Sequence, residues 1–275
     1  MKKNLYVEDI KKIEIQMLNF FDAYCQKHNL RYYLAYGTLI GAMRHKGFIP
    51  WDDDIDVMMP RADYEKLLAM FNDNNKGTEY QIIAHSINRK YYLPFAKLVN
   101  QKTVLKEEAD VDCEIGVYVD IFPLDNLSDS LSEARKMIKR QYLYNKQLQL
   151  KIMKWRKGRS LIKNLALIGS KVILSGKSIS TLVEEIDSYC NIPGTDKFTK
   201  YVGITAGISR GDDSRIFEKE WFEKTMMVDF EGKQYPAPVG AANYLNTAYG
   251  DYLQLPPVEQ RVSHHSFEAW VKEEE

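Results

Sequence analysis

A dense group of acidic residues constrains this chain more than any other feature of its sequence. Four aspartates fall within five positions and precede an apolar run. They are Asp52, Asp53, Asp54 and Asp56. A strand through this segment would place Asp54 and Asp56 on one face and Ile55 on the other, because side chains alternate. Converging carboxylates repel one another unless a cation lies between them, and Mg²⁺ prefers carboxylates plus substrate phosphates. The segment therefore predicts a divalent-metal site, with a solvated acidic loop as the alternative.

A later aspartate, Asp120, completes the predicted set of metal ligands. It lies in a second strand-like run, in which Val119 and Ile121 occupy the opposite face. We predict Asp54, Asp56 and Asp120 as the catalytic carboxylates and as ligands of Mg²⁺, or of Mn²⁺, because oxygen-only ligand sets favour these hard ions. Asp120 is also a candidate general base for an acceptor hydroxyl.

A glycine–threonine pair upstream of the aspartates predicts a phosphate site. Residues 33–35 are strand-like, Gly37 allows a tight turn, and a short helix follows. Free backbone N–H groups at a helix N-terminus bind phosphate oxygens, and Thr38 is predicted to cap the helix. A phosphate site, then metal carboxylates, then a third carboxylate on a later strand is the order typical of nucleotidyltransferase-type phosphotransferases. Gly37 and Thr38 are therefore predicted to bind substrate.

Several stretches of this sequence resemble the LicD family. They are residues 36–42, 45–56, 119–125, 249–252 and 255–257, together with Arg261 and His264. The resemblance implies an α+β fold with a nucleotidyltransferase-like core, in which helices flank a mixed β-sheet. The family includes bacterial phosphocholine transferases. Its core is similar to that of the fukutin group, which transfers ribitol phosphate.

The resemblance implies an enzyme that moves phosphocholine from CDP-choline to a sugar hydroxyl of a cell-surface glycopolymer precursor. The acceptor would be of the teichoic acid or lipopolysaccharide type, and CMP would be released. Transfer of ribitol phosphate or glycerol phosphate from its CDP donor is the alternative among enzymes. The alternative of another class is a non-catalytic protein that binds glycopolymer or anionic lipid. Aromatic faces hold quaternary ammonium groups, but 18 tyrosines do not single out one cage.

Four further residues are candidates for contact with substrate. Lys97 lies in an apolar strand-like run, where a buried ammonium group needs an anion such as a donor phosphate. The alternative is an edge strand from which Lys97 reaches solvent. Arg44 follows the predicted phosphate site and is a candidate for reaching the same phosphates. The resemblance adds Arg261 and His264 as contacts of phosphate or acceptor.

Cysteine content and hydropathy favour a cytoplasmic protein. The 275 residues include three cysteines without metal-binding spacing, which is typical of a reducing compartment. The N-terminus has no apolar signal core. No stretch of about 20 apolar residues is present that would span a bilayer. We therefore expect a cytoplasmic location, including the inner face of the cell membrane.

Charge is unevenly distributed although the net charge is zero. Residues 134–183 contain thirteen basic residues and no Asp or Glu. We predict that this block binds the lipid-linked glycan acceptor or the anionic inner leaflet, with the apolar residues of 161–174 in the interface. The alternative is that these apolar residues pack onto the catalytic core. No nucleic-acid-binding motif accompanies the block, so nucleic acid is not an expected partner.

The predicted organisation has three parts. Residues 1–133 form the catalytic core, 134–190 form a basic helical subdomain inserted in the chain, and 191–275 complete the core and the active site. Residues 125–130 are predicted to form a loop, and a β-hairpin is predicted around Gly232.

Overall fold

The chain folds into an α+β structure, which confirms the predicted class. The computed structural model describes residues 3–107, 111, 113–155, 160–190, 197, 199–262 and 267–273. The α-helices are α1 (Val7–Lys27), α2 (Tyr36–His45), α3 (Arg61–Asn74), α4 (Leu131–Ile152), α5 (Leu161–Ile173), α6 (Ile179–Cys190) and α7 (Ala241–Tyr249). The β-strands are β1 (Lys3–Asn4), β2 (Tyr33–Leu34), β3 (Asp56–Pro60), β4 (Tyr80–Ile83), β5 (Ala96–Asn100), β6 (Thr103–Glu107), β7 (Tyr118–Leu127), β8 (Tyr201–Ile204), β9 (Phe217–Glu218), β10 (Thr225–Phe230), β11 (Lys233–Pro238) and β12 (Phe267–Val271).

A mixed seven-stranded sheet forms the centre of the fold. Its order is β2-β3-β7-β5-β4, with β8 paired to β7 and β9 paired to β8. β3 and β7 run parallel, whereas the other neighbouring strands of this sheet run antiparallel. β7 continues to Leu127 because its last residues pair with β8. The prediction of a loop from residue 125 is therefore wrong, since a distant strand supplies hydrogen bonds that the local sequence does not reveal.

The apolar run after the aspartates is buried because helices cover β3. Val57, Met58 and Met59 have no exposed surface. α2 and α3 both pack against β3, and α1 packs against β7. A strand that is covered on both faces is apolar without alternation, as this run is. The packing fixes the position of β3, whose first residue, Asp56, therefore lies at the edge of a rigid core.

The predicted hairpin is present as β10 and β11. Its turn residues Glu231 and Gly232 have φ angles of 49° and 78°. Two-residue hairpin turns of type I′ need positive φ at both central residues, which explains the glycine. A second, three-stranded sheet joins both ends of the chain, since β12 pairs with β1 and with β6.

The helices that follow β7 are anchored mainly through α4. Its first half packs on the sheet through Ala134 and Ile138. Its second half packs on α6 through Leu148 and Val183. α5 buries far less of its surface, since Asn164 and Leu167 are its buried residues. Across the described residues, every helix is too short or too polar to cross a membrane.

A buried ion pair ties three elements together next to the sheet. The Arg61 guanidinium at the start of α3 donates to Asp125 on β7, with Nε 2.7 Å from Oδ1. It also donates to Asp187 on α6 at 2.8 Å. The Asp125 side chain has no exposed surface, and it accepts a further short hydrogen bond from the Thr205 hydroxyl. Arg61 therefore connects α3 to β7 and to α6, with Asp125 as its buried partner.

Candidate active site

Two of the predicted catalytic aspartates lie side by side on parallel strands. Asp56 of β3 is in register with Asp120 of β7. Both residues are buried, with 9% and 8% of their surface exposed. The main-chain N–H of Asp120 donates to the carbonyl of Ile55 at 2.9 Å, which fixes the register at this point. The second strand predicted from the sequence thus brings its carboxylate to the first.

The segment before β3 holds the other aspartates. Within the described residues, ligand oxygens of Asp52, Asp53 and Asp54 all lie within 4.8 Å of one another. β3 begins at Asp56, so Asp54 lies before the strand and the prediction that both residues share a strand face is wrong. The two carboxylates still interact, because Asp54 is the strongest charged influence on Asp56.

Burial and the neighbouring negative charges together shift the pKa of Asp56. Burial raises the pKa of this carboxyl well above its ordinary value, and the charges of Asp54, Asp120 and Asp52 raise it further. Lys97 opposes the shift. A bound divalent cation would relieve the repulsion, and a donor set made of carboxylate oxygens suits a hard ion such as Mg²⁺.

Glu14 of α1 also faces this group, although it is not among the residues predicted from the sequence. The residue is 2% exposed, and its Oε2 atom has no hydrogen-bond partner. Burial raises its pKa well above the ordinary value, as do the charges of Asp54 and Asp53. A signal was present, because Glu14 falls between Ile10 and Met17 on the buried face of α1. An unpaired buried carboxylate beside four others also fits a cation site.

Lys97 is buried beside the catalytic pair. It lies on β5 opposite Asp120, and its Nζ atom is 2.7 Å from Asp120 Oδ1. The alternative of an edge strand reaching solvent is wrong, because β5 lies between β4 and β7 and Lys97 is 2% exposed. Its ammonium group also lies 3.2 Å from the centre of the Tyr118 ring. Its observed anion is thus Asp120, and contact with a donor phosphate stays a prediction.

The glycine–threonine pair supports the aspartates from α2. Both residues lie inside the first turn of this helix, which begins at Tyr36. The Thr38 hydroxyl accepts a hydrogen bond from the main-chain N–H of Asp56 at 2.8 Å, so the predicted capping role is wrong. A Cβ atom at Gly37 would collide with the Asp52 carboxylate, so glycine makes room for that side chain. Phosphate binding by these backbone N–H groups stays a prediction.

Arg44 lines a groove, and Arg261 lies close to it. Contact of either arginine with phosphate or acceptor stays a prediction. Arg44 donates to the carbonyl of Tyr252 at 2.7 Å, and the charge of Arg261 contributes to a lowered pKa of Arg44, after burial. The Arg261 guanidinium lies 5.6 Å from the centre of the Trp51 ring. The groove has a volume of about 900 Å³ and also contains Tyr249. His264 lies outside the described residues.

Comparison with known proteins identifies the domain that carries these residues. The family described as "LicD/FKTN/FKRP, nucleotidyltransferase domain" matches residues 29–148. Residues 29–148 form a LicD domain. Its matched range contains the aspartates at 52–56, Asp120, Lys97 and the glycine–threonine pair, whereas Glu14 and Arg261 lie outside it. The resemblance predicted from the sequence is therefore confirmed.

Similarity to an individual LicD protein extends over nearly the whole chain. The lipopolysaccharide cholinephosphotransferase LicD of Haemophilus influenzae is 27% identical over 269 residues, which cover 98% of this chain and 99% of that protein. Shorter matches occur to uncharacterized proteins of two Rickettsia species. The protein of Rickettsia typhi is 42% identical over 48 residues, 16% of each chain. That of Rickettsia prowazekii is 36% identical over 58 residues, 20% of this chain and 22% of the other.

Proposed function

We propose that this protein transfers phosphocholine from CDP-choline to a sugar hydroxyl of a glycopolymer precursor of the lipopolysaccharide or teichoic acid type. The observation that carries the proposal is the register of Asp56 with Asp120, beside the aspartates at 52–54. The name of the H. influenzae relative supports cholinephosphotransferase activity and a lipopolysaccharide acceptor. The CDP donor comes from the family resemblance.

The chemistry that we propose is a displacement at phosphorus. The acceptor oxygen would form a bond to the phosphorus that carries choline, and the bond between that phosphorus and the bridging oxygen would break. CMP would leave with the bridging oxygen. Asp120 is our candidate to take the hydroxyl proton, with Lys97 holding its carboxylate at 2.7 Å. Catalysis of this type depends on positioning and on neutralising charge.

We propose Asp54, Asp56 and Asp120 as the residues that would hold Mg²⁺, with Asp52, Asp53 and Glu14 completing the acidic surroundings. The orphaned oxygen of Glu14, the register of Asp56 with Asp120 and the clustered carboxylate oxygens of Asp52, Asp53 and Asp54 fit such an ion. When bound, Mg²⁺ would neutralise charge on the phosphates.

Removal of divalent ions is expected to stop transfer. Mg²⁺ or Mn²⁺ should restore the reaction, whereas Zn²⁺ should restore it poorly, because hard ions suit carboxylate ligands. CMP release is measured before chelation, after dialysis against EDTA and after each ion is added back. Full turnover after exhaustive chelation would contradict the metal assignment.

The donor is identified by CMP release from separate CDP-alcohols. The full-length protein is incubated with Mg²⁺, a lipid-linked glycan and CDP-choline, CDP-ribitol or CDP-glycerol. We expect CMP release with CDP-choline that depends on the acceptor. CMP release only with CDP-ribitol or CDP-glycerol would show that CDP-choline is not the donor. Binding of glycan without CMP release from any of the donors would favour a non-catalytic binding protein.

We also propose that the reaction takes place at the cytoplasmic face of an anionic membrane, with α5 lying in the interface. Only Asn164 and Leu167 of this helix are buried. Its other large apolar side chains are exposed, so the alternative that they pack onto the core is not supported. The exposed ones are Leu161, Ile162, Leu165, Ile168, Val172 and Ile173. Lys163 and Lys171 supply positive charge on the same helix.

Part of the positive charge of residues 134–183 is paired with carboxylates from other segments, which the sequence of the block alone does not show. Arg135, Lys136 and Lys177 pair with carboxylates from outside residues 134–183. The part of the block that favours a lipid surface is therefore α5, where apolar exposure and lysines occur together. Buried apolar area and attraction to anionic lipid both contribute to such binding.

Replacing Leu161, Ile162 and Leu165 together by serine is expected to weaken binding to anionic vesicles at least about tenfold, because each buried apolar side chain contributes about 1.5–3 kcal/mol. Co-sedimentation with phosphatidylglycerol-containing vesicles measures the effect. Serine at the exposed residues Ile87 and Met227 is the matched control and should change nothing. Equal binding by both variants would remove α5 from the proposal.

A further inference from the structure

A second cavity shares Tyr249 with the Arg44 groove. Its volume is about 320 Å³. The residues that line it are Tyr36, Phe122, Gly207, Ile208, Ser209, Arg210, Arg215 and Tyr249. Pockets for small molecules range from roughly 300 to 1,000 Å³, so this one suits a small group and not a whole nucleotide.

The walls of this cavity continue from the catalytic residues. Phe122 follows Asp120 by two positions on β7, so their side chains share a face of the sheet. Tyr36 directly precedes Gly37, and its ring lies 5.1 Å from that of Phe122 between centroids. Tyr36 also has a φ of 42°, a left-handed conformation that is uncommon for a residue with a side chain. The cavity therefore opens next to the atoms that would react.

A buried arginine without a carboxylate partner lies in this cavity. Arg215 is 8% exposed, and its Nε atom has no hydrogen-bond partner. Its guanidinium lies 6.0 Å from the Tyr36 ring centre, and it lines the cavity together with Tyr249. Among the described residues no carboxylate forms a salt bridge with it, and the nearby Asp212 accepts from Ser214 instead. A buried guanidinium with an unused donor favours an anion as its partner.

We propose that this cavity binds the half of the donor that is transferred. Arg215 would contact the phosphoryl oxygens, with the exposed Arg210 at the entrance. The aromatic rings of Tyr36, Phe122 and Tyr249 would contact the alcohol, since aromatic faces attract a quaternary ammonium group. The identity of the alcohol rests on the proposed function, whereas binding of a phosphate ester by Arg215 does not.

Binding of phosphocholine and of CMP to the full-length protein separates the two halves of the donor. Isothermal titration of Arg215→Gln should show phosphocholine affinity lowered at least about tenfold, the effect of losing a hydrogen bond to a charged group, and CMP affinity unchanged. Arg215→Lys should retain part of the affinity. Arg210→Glu changes an exposed residue and should weaken phosphocholine binding without affecting the fold. Lys27→Glu has the same charge change at the distant end of α1 and should bind as the wild type does.

Each outcome decides the assignment. Equal phosphocholine affinity in the wild type, Arg215→Gln and Arg210→Glu would overturn it, as would an equal loss of CMP and phosphocholine affinity in both variants. If Arg215→Gln does not fold, Arg210→Glu decides alone. Arg215-dependent binding of phosphocholine by a protein that releases no CMP from any CDP-alcohol would support the anion site and reject the proposed function. Inorganic phosphate and phosphoglycerol, titrated in parallel, report how much the alcohol contributes.

Discussion

Replacing Asp56 by asparagine is expected to lower the rate of transfer by at least about 10³-fold, comparable with loss of a principal charge-stabilising group in other enzymes. Asp56 is the carboxylate that lies in register with Asp120 and interacts with Asp54 and Asp52. Asparagine keeps the shape of the side chain and removes its charge. CMP release at saturating donor measures the effect, and a variant with the wild-type rate would contradict the assignment of Asp56.

The same variant is expected to be more stable than the wild type when no metal is bound. The pKa of Asp56 is raised in the folded protein above its ordinary value of 3.8, so the folded state holds its proton more tightly. The free energy of unfolding therefore falls as pH rises from near 4 through the raised pKa, because the carboxyl must lose its proton in the folded protein. Asparagine does not titrate, so the Asp56→Asn protein avoids this decrease in stability. Added Mg²⁺ should stabilise the wild type and not the variant, because only the wild-type site binds it tightly.

Urea unfolding with EDTA at several pH values tests this second effect. Asp73→Asn, at a residue whose side chain is 76% exposed, is the matched control and should change neither stability nor activity. A less stable Asp56→Asn protein at neutral pH would show that Asp56 stabilises the fold, and its loss of activity would then not identify a catalytic role.

Replacing Asp125 by leucine is expected to lower the free energy of unfolding by up to about 3–5 kcal/mol, because Arg61 loses its fully buried carboxylate partner and is left with the half-exposed Asp187 and Glu65. The side chain of Asp125 has no exposed surface, and that of Arg61 is 12% exposed. The double variant with Arg61→Met should recover part of the loss, since the buried positive charge is gone as well. Urea unfolding measures all three proteins. A double variant less stable than Asp125→Leu would show that the ion pair is not the reason.

Local patterns predicted much of the fold and of the site. The glycine in the turn predicts the hairpin of β10 and β11. The strand pattern around Asp120 predicts its side chain opposite the apolar face. In each case residues close in the sequence determine the structure, so a single sequence is sufficient.

The features that the sequence did not reveal depend on distant parts of the chain. β12 pairs with β1 and β6, and no local pattern reports such pairing. Glu14 lies in a helix that is otherwise typical of core packing, and its neighbours are aspartates more than 35 positions away. Arg215 lines a cavity together with Tyr36 and Tyr249, and these residues are distant in the sequence. The sequence predicts that Thr38 caps α2, whereas its hydroxyl accepts a hydrogen bond from the main chain of Asp56 on β3.

The most direct test of the central claim follows both halves of the donor at once. CDP-choline labelled separately in choline and in cytidine is incubated with the full-length protein, Mg²⁺ and a lipid-linked glycan. We predict that the choline label enters the glycan with its phosphate, that the cytidine label appears as CMP in equal amount, and that Asp56→Asn and Asp120→Asn proteins produce neither. Labelled glycan formed at the wild-type rate by the Asp56→Asn protein, or no transfer of choline by the wild type with any glycan acceptor, would contradict it.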